Sequence, residues 1–316
     1  MKVVISDDYQ DCVRHLDCFG KLQDHDVAIF NDTVSDLEAK VNRFRDAEAI
    51  VLTRERTTID RALIERLPKL KLISQTGKIA SHVDLIACKD HGITVVDGRG
   101  SGAATAEMAL LLILAALRNI VPEVNRLKSG KWQGSVGQQL FGRTLGVYGL
   151  GRIGQQVANL GKAFGAHVIV WGRESSLSKA RDMGFELASS KADFFSRSDI
   201  VSLQLRLNEE TRAIVTAADL AMMKSSAILV NTSRAELIEK GALYSALKLG
   251  RPGFAAVDVY ESEPVLNNSD PLLELSNCLC TPHLGFVEKD NYEAYFGIAF
   301  DNINSFVSGD IQNRVV

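Results

Sequence analysis

One stretch of the chain joins an apolar run to three closely spaced glycines. Residues 145–148 form the run, Gly149, Gly151 and Gly154 follow it, and a helical pattern of apolar residues comes next. In this order the first glycine permits a tight turn, the second lets phosphates approach the backbone, and the third lets helix and strand pack closely. Free amides at the helix start favour an anion. The stretch predicts a dinucleotide pyrophosphate site, with an ordinary turn between strand and helix as the alternative.

The length and charge of the chain exclude several classes of protein. Its 316 residues are enough for two domains, and 46% hydrophobic and 24% charged residues are ordinary for a globular protein. A net charge of −3 without a basic run argues against a nucleic-acid partner. Residues 1–8 turn acidic too early for a signal peptide, and the most apolar run, 108–117, is too short to span a membrane. We expect neither a nucleic acid nor a membrane as partner.

The five cysteines lack the spacing of a disulfide framework, which fits a reducing, cytoplasmic setting. Cys278 and Cys280 fall on a predicted strand. We expect their side chains to point to opposite faces of that strand, so we expect no shared metal.

Short apolar runs alternate with helical patterns along the whole chain. The predicted strands of the first part are 3–6, 27–30, 50–53, 70–74 and 94–97. Those of the second part are 145–148, 167–171, 200–205, 227–231, 255–259 and 278–281, and a long helix at 106–121 precedes them. Such alternation predicts the α/β class, with two parallel sheets, each flanked by helices.

The predicted domain boundaries lie at a glycine-rich crossing and before the last helix. Residues 98–104 form the crossing, and the helical tail at 287–306 is expected to return to the first domain. We predict a discontinuous domain of residues 1–98 and 286–316, with a dinucleotide-binding domain of residues 99–285 inserted into it.

Three chemically useful residues each follow a predicted strand of the inserted domain. They are Arg234, Glu263 and His283. The carboxyl ends of parallel strands share the edge at which a dinucleotide binds, so these side chains can converge there. An arginine can hold a carboxylate in a fork, a histidine can give a proton to a carbonyl oxygen, and a neighbouring carboxylate can fix the histidine tautomer. Each residue alone is more often a surface or structural group, but their joint placement favours chemistry on a 2-oxo acid.

Four blocks of the chain resemble a known family. Gly149-Leu150-Gly151-Arg152-Ile153-Gly154, Asn231-Thr232-Ser233-Arg234, Asp258-Val259-Tyr260-Glu261-Ser262-Glu263-Pro264 and Thr281-Pro282-His283-Leu284-Gly285 are similar to the signature blocks of the D-isomer-specific 2-hydroxyacid dehydrogenases. That family includes phosphoglycerate, D-lactate and glyoxylate/hydroxypyruvate enzymes. The resemblance implies a Rossmann cofactor domain inserted into a flavodoxin-like substrate domain. It also implies hydride transfer between NAD or NADP and a D-2-hydroxy acid/2-oxo acid pair.

The resemblance also implies a role for individual residues. Arg234 would orient the substrate, His283 would act as acid and base, and Glu263 would be its partner. Five further residues would contact the cofactor: Arg152 and Ile153 at the pyrophosphate, Thr232 near the nicotinamide ribose, Asp258 at the carboxamide, and Gly285. Family members are typically homodimers joined through the cofactor domain, here through residues 106–121 and the loop that contains Trp132.

The loop that would bind the substrate carboxylate departs from the family pattern. The family commonly has Gly-x-Gly-x-Asp-Asn-x-Asp where residues 77–84 read Gly-Lys-Ile-Ala-Ser-His-Val-Asp. Backbone amides can still bind there, so Ile79 stays a candidate. Lys78 adds a cation for an acidic substrate, with an exposed loop lysine as the alternative. Arg54, after another strand, is a weaker candidate.

The choice of cofactor depends on the end of the second strand of the inserted domain. An acid at this place commonly binds the ribose hydroxyls of NAD, but here Gly172 and then Arg173 follow residues 167–171. Arg206 stands where family members commonly have proline and adds a second cation. Glu174 could still bind the ribose, so the pattern only leans towards NADP(H).

A second class of function stays open at the sequence level. Corepressors of the C-terminal-binding-protein type share this fold and keep the catalytic trio, so the chain could be a catalytically silent NAD(H)-sensing module. The sequence does not specify which 2-oxo acid an enzyme would use.

Overall fold

The computed structural model describes residues 1–316. The chain divides into two compact units, one of Met1–Ser101 with Val287–Val316 and the other of Gly102–Phe286. From sequence we place these boundaries at residues 98 and 286.

The first unit is built on a five-stranded parallel sheet with the order β2-β1-β3-β4-β5. Its strands are β1 (Lys2–Ile5), β2 (Asp26–Ile29), β3 (Ala49–Leu52), β4 (Leu72–Gln75) and β5 (Thr94–Val96). Its helices are α1 (Leu37–Phe44), α2 (Arg61–Ile64), α3 (Leu85–Asp90), α11 (Lys289–Ser308) and the 3-10 helices Val13–His15 and Asp17–Leu22. Every residue of β3 and β4 is buried, as expected for parallel strands covered on both faces.

The tail helix α11 packs within this first unit. The Glu293 carboxylate accepts hydrogen bonds from the amides of Asp17 and Cys18 at 2.6 and 2.9 Å. Ser74 Oγ on β4 donates to the carbonyl of Ala299 at 2.9 Å. The unit therefore consists of two separated segments of the chain.

The second unit is built on a seven-stranded parallel sheet with the order β12-β11-β10-β9-β6-β7-β8. Its strands are β6 (Thr144–Tyr148), β7 (His167–Trp171), β8 (Glu186–Leu187), β9 (Ile200–Leu203), β10 (Ile228–Asn231), β11 (Phe254–Val257) and β12 (Cys278–Cys280). Its helices are α4 (Ala103–Leu117), α5 (Ile120–Lys128), α6 (Arg152–Ala163), α7 (Glu174–Asp182), α8 (Lys191–Arg197), α9 (Ala217–Met222), α10 (Ala242–Lys248) and the 3-10 helices Ala235–Leu237 and Pro271–Glu274. The chain order reverses between β6 and β9, the place where open α/β sheets bind ligands.

These two sheets confirm the predicted α/β fold, with two differences in detail. Strand β8 has only two residues and was too short to predict from a hydrophobic pattern. The single helix predicted at 106–121 is wrong. The chain forms α4 and α5, bent by 61° at a break where Asn119 has a positive φ of 49°. Neither helix alone meets the length and hydropathy of a membrane span; α4 and α5 do so only when they are counted as one bent pair.

Candidate active site

The glycine-rich turn joins β6 to α6 at the centre of the second sheet. Gly149 has a φ of 92°, and a Cβ there would lie 2.7 Å from the carbonyl oxygen of Gln204. A Cβ at Gly154 would overlap the Gly149 carbonyl oxygen, so helix and strand can approach only because this residue is glycine. A Cβ at Gly151 would meet no atom within 4 Å. The turn thus has two glycines required by packing and one that faces open space, as a phosphate cradle requires.

The end of β7 lies beside this turn. The Cα of Gly149 is 3.5 Å from a Cβ built on Gly172, and the Leu150 amide donates to Ser176 Oγ at 3.1 Å. Sequence reasoning missed Ser176, which lies inside a helical pattern without a motif of its own. Arg173 begins α7, is 74% exposed, and lies 3.7 Å from the carboxylate of Glu210.

The other candidates for the cofactor choice are also exposed. Arg206 projects from the loop after β9, and its carbonyl accepts a hydrogen bond from Thr211 Oγ1 at 2.7 Å. Glu174, the acid that could have bound a ribose, instead accepts a hydrogen bond from Arg181 Nη1 at 2.8 Å. Arg173 and Arg206 are thus two exposed cations, and Glu174 is already held in an ion pair.

His283 and Glu263 form a close polar pair. His283 Nδ1 lies 2.6 Å from Glu263 Oε2, and the Tyr260 amide donates to Glu263 Oε1 at 2.9 Å. The Phe286 ring packs edge-on against the imidazole at 5.3 Å between centroids. Since a carboxylate accepts, Nδ1 carries the shared proton and Nε2 is left for a reacting group.

The charge state of Glu263 follows from its neighbours. Burial works to raise the pKa of its carboxyl group. The hydrogen bond from His283, the charge of that imidazole, the Tyr260 amide and the Arg234 guanidinium together outweigh burial and lower this pKa. Glu263 is therefore ionised at neutral pH, as a partner for a histidinium must be.

Asp258 holds the loop that carries His283. Its buried carboxylate accepts hydrogen bonds from Thr281 Oγ1, the Leu284 amide and the Gly285 amide at 2.6, 2.8 and 2.7 Å. Burial raises the pKa of Asp258, and these three donors act against that rise. These three hydrogen bonds are made within the protein, and the contact of Asp258 with a carboxamide stays a prediction.

Arg234 follows β10 and starts a 3-10 helix. Its carbonyl accepts from Asn231 Nδ2 at 2.8 Å, and its Nη1 donates to the Ser233 carbonyl at 2.6 Å. Its positive charge acts on Glu263, which places the two groups at one edge of the sheet. Thr232, also buried here, accepts a hydrogen bond from Gln204 Nε2 at 3.4 Å.

The substrate-loop candidates lie in the first unit, at the carboxyl ends of β3 and β4. Lys78 forms an ion pair with the buried Asp97 carboxylate, and the Ile79 amide donates to the same carboxylate at 3.3 Å. Both groups therefore already contact Asp97, and their role towards a substrate stays a prediction. Sequence reasoning missed Asp97, because nothing in an Asp after a strand reveals which loop it will hold.

Arg54 has a left-handed backbone, with a φ of 57°. Its guanidinium packs 5.5 Å above the Tyr295 ring and lies 3.7 Å from the carboxylate of Glu55. Its side chain is 18% exposed, so it is a preorganised cation at the sheet edge.

Comparisons with known proteins identify the family. Residues 110–285 match the model of the D-isomer specific 2-hydroxyacid dehydrogenase, NAD binding domain. The chain belongs to this family. The match covers the glycine turn, Arg234, Glu263 and His283, which are the blocks from which the resemblance was inferred.

Relatives extend the likeness to the whole chain. D-3-phosphoglycerate dehydrogenase of Methanocaldococcus jannaschii is 36% identical over 100% of this chain and 59% of its own length. Glyoxylate reductase of Aeropyrum pernix is 34% identical over 88% of this chain and 85% of its own. The crystal structure of phosphoglycerate oxidoreductase from Vibrio cholerae O395 is 51% identical, with a TM-score of 0.95 over 98% of this chain and 99% of its own. The chain thus spans little more than half of the first relative.

Proposed function

We propose that the chain is a nicotinamide-dependent oxidoreductase that interconverts a D-2-hydroxy acid and its 2-oxo acid. The observation that carries this proposal is the 2.6 Å contact between His283 Nδ1 and Glu263, because it leaves Nε2 for the substrate oxygen. Family membership supports the same reaction. The names of the relatives, dehydrogenases and reductases, give no support to a silent sensing module.

The residues would act as follows in the reductive direction. Arg234 holds the substrate carboxylate and polarises the neighbouring carbonyl, because a guanidinium offers two parallel donors. His283, charged and paired with Glu263, donates the Nε2 proton to the carbonyl oxygen. Asp258 keeps the His283 loop in place through its three hydrogen bonds. The glycine turn with Arg152 and Ile153 would hold the reduced nicotinamide cofactor, which would supply the hydride for this reaction.

The residues around the glycine turn fit a dinucleotide. Open space at Gly151 allows a phosphate to approach, and Arg152 and Ile153 start α6, where the helix dipole favours an anion. We propose a preference for NADP(H), since Gly172 replaces the usual acid, Arg173 is exposed beside it and Glu174 is held by Arg181. The Arg173–Glu210 pair opposes this preference, because a 2′-phosphate would have to replace Glu210.

In the first unit, Lys78, Ile79 and Arg54 are the proposed substrate contacts. Support comes from their place at the carboxyl edge of the sheet, where Lys78 and the Ile79 amide already contact Asp97. The substrate that the chain would reduce is a small 2-oxo acid.

We also propose a homodimer in the cytoplasm. Helix α5 buries none of its residues, and its apolar side chains Ile120, Val121, Val124 and Leu127 are exposed, as are Trp132 and Val136 after it. An exposed apolar face formed by several such side chains is typical of a protein–protein interface. Five free cysteines fit a reducing compartment.

A substrate panel tests the proposed activity. Oxidation of NADPH and of NADH is followed with glyoxylate, hydroxypyruvate, pyruvate and phenylpyruvate. We expect turnover of at least one acid, faster with NADPH. Tight binding of either nucleotide without turnover of any acid would favour the sensing module instead.

A further inference from the structure

The edge strand β12 carries two cysteines with their sulfur atoms in contact. Cys278 Sγ and Cys280 Sγ lie 3.6 Å apart. The expectation that they point to opposite faces is wrong, because residues i and i+2 of a strand share a face. Both side chains are half-buried, and the other three cysteines lie in the first unit. The pair is a dithiol that the proposed reaction does not use.

The dithiol is linked to the His283–Glu263 pair through its neighbours. Thr281 follows Cys280 directly, and its carbonyl accepts hydrogen bonds from the His283 amide and from the Tyr260 hydroxyl, each at 3.0 Å. The Tyr260 amide in turn donates to Glu263. A displacement of the end of β12 would therefore move both His283 and Glu263.

The two thiols differ in reactivity. The sulfur–sulfur contact with Cys278 lowers the pKa of the Cys280 thiol, although burial acts in the opposite direction. The same interaction and burial raise the pKa of Cys278. Because the thiolate is the nucleophile of cysteine chemistry, Cys280 is the attacking group and Cys278 the group that completes the reaction.

We propose that Cys278 and Cys280 form an oxidation site for hydrogen peroxide, at which a reversible disulfide slows the enzyme. The Cys280 thiolate attacks one peroxide oxygen and breaks the O–O bond, which gives a sulfenic acid and, after protonation, one water. The Cys278 sulfur then attacks the sulfenic sulfur, the S–S bond forms, and the second water leaves. Two electrons pass from the thiols to the peroxide, and a dithiol reductant reverses the change.

Closure of this disulfide must move the backbone. Side chains stand roughly perpendicular to a strand, so Cβ atoms two residues apart are separated by about 6.6–6.8 Å, whereas the Cβ atoms of a disulfide lie roughly 3.5–4.5 Å apart. The sulfurs must also approach from 3.6 Å to bonding distance. The strand therefore shortens on oxidation, and Thr281 and the His283 loop move with it.

The full chain is treated with hydrogen peroxide and compared with C278S and with the triple variant C12S/C18S/C88S. Peptide mass mapping after thiol alkylation measures the disulfide, and turnover of an active 2-oxo acid is measured before oxidation, after it, and after dithiothreitol. We expect a Cys278–Cys280 disulfide in the wild type and the triple variant. We expect at least a tenfold reversible loss of kcat, since a misplacement of about 1 Å can lower a rate roughly 100-fold. C278S, in which the sulfenic acid of Cys280 has no neighbouring thiol, should form no disulfide within β12.

Two results would overturn the proposal. The first is alkylation of both thiols after peroxide treatment. The second is a complete disulfide with unchanged kcat. The loss of rate rests on the proposed function, but the mapped disulfide does not. A chain that turns over no 2-oxo acid and still forms the disulfide would contradict the proposed function and the rate effect together, while leaving the thiol chemistry established.

Discussion

At the scale of single residues, Glu263 decides how the site responds to pH. Its side chain is 31% exposed, and its lowered pKa comes from His283, the Tyr260 amide and Arg234 acting against burial. A carboxyl group whose pKa is lower in the folded chain stabilises the fold above its ordinary value of 4.5. That contribution disappears as the pH falls through the lower, folded-state pKa.

Glu263→Gln should therefore destabilise the chain in a pH-dependent way. At neutral pH we expect a loss of about 1.5 to 3 kcal/mol in the free energy of unfolding, the range for a hydrogen bond to a charged group. The difference from wild type should shrink below pH 4.5. Urea unfolding at several pH values measures it, with the exposed Glu261→Gln as control. A difference that stays constant across this range would contradict the assigned ionisation.

Arg234→Lys tests the proposed grip on the substrate carboxylate. Lysine keeps the charge but loses the fork of parallel donors. We expect kcat/KM for an active 2-oxo acid to fall roughly 10- to 100-fold, matching the loss of one hydrogen bond to a charged group. The exposed Arg212→Lys is the matched control. Equal kcat/KM in both variants would show that Arg234 does not hold the substrate.

At the scale of elements, the β6–turn–α6 unit separates packing from ligand binding. Gly154→Ala should cost about 1 to 3 kcal/mol of stability, because its Cβ overlaps the Gly149 carbonyl and the interior must be overpacked. Gly151→Ala meets open space at a φ of −71°, so its stability should change by less than about 0.5 kcal/mol.

The same pair of variants tests the cofactor site. Gly151→Ala should weaken NADPH binding, since the added methyl group fills the space that a phosphate needs. Urea unfolding and nucleotide titration by fluorescence measure the two effects. If the Gly151→Ala variant binds the nucleotide as tightly as wild type, the pyrophosphate does not bind at the glycine turn.

Elements and site were not equally predictable from sequence. The strands could be predicted, because buried parallel strands appear in the sequence as short apolar runs between turns. Arg234, Glu263 and His283 could be singled out because each follows such a strand. The break at Asn119 was missed by two residues: Pro122 marks a helix boundary nearby, but the apolar pattern continues through Ile120 and Val121. Asp97 and the Asp258 contacts depend on loops meeting in space, which no spacing along the chain reveals.

At the scale of the whole molecule, the exposed apolar face of α5 and the loop after it carries the proposed dimer. Trp132→Asp puts a charge on a side chain that is 74% exposed, so the folded unit should tolerate it. We expect the molar mass from light scattering to fall from dimer to monomer. Leu249→Asp, at a side chain that is 84% exposed elsewhere in the same unit, is the control. A wild-type monomer, or an unchanged Trp132→Asp dimer, would contradict this interface.

The most direct test of the central claim is kcat for an active 2-oxo acid in His283→Ala, with NADPH binding measured on the same sample. The imidazole supplies the proton but makes no part of the glycine turn. We predict a fall in kcat of roughly 10²- to 10⁴-fold, the usual contribution of a general acid, with unchanged nucleotide affinity. Wild-type turnover in His283→Ala would contradict the proposed mechanism.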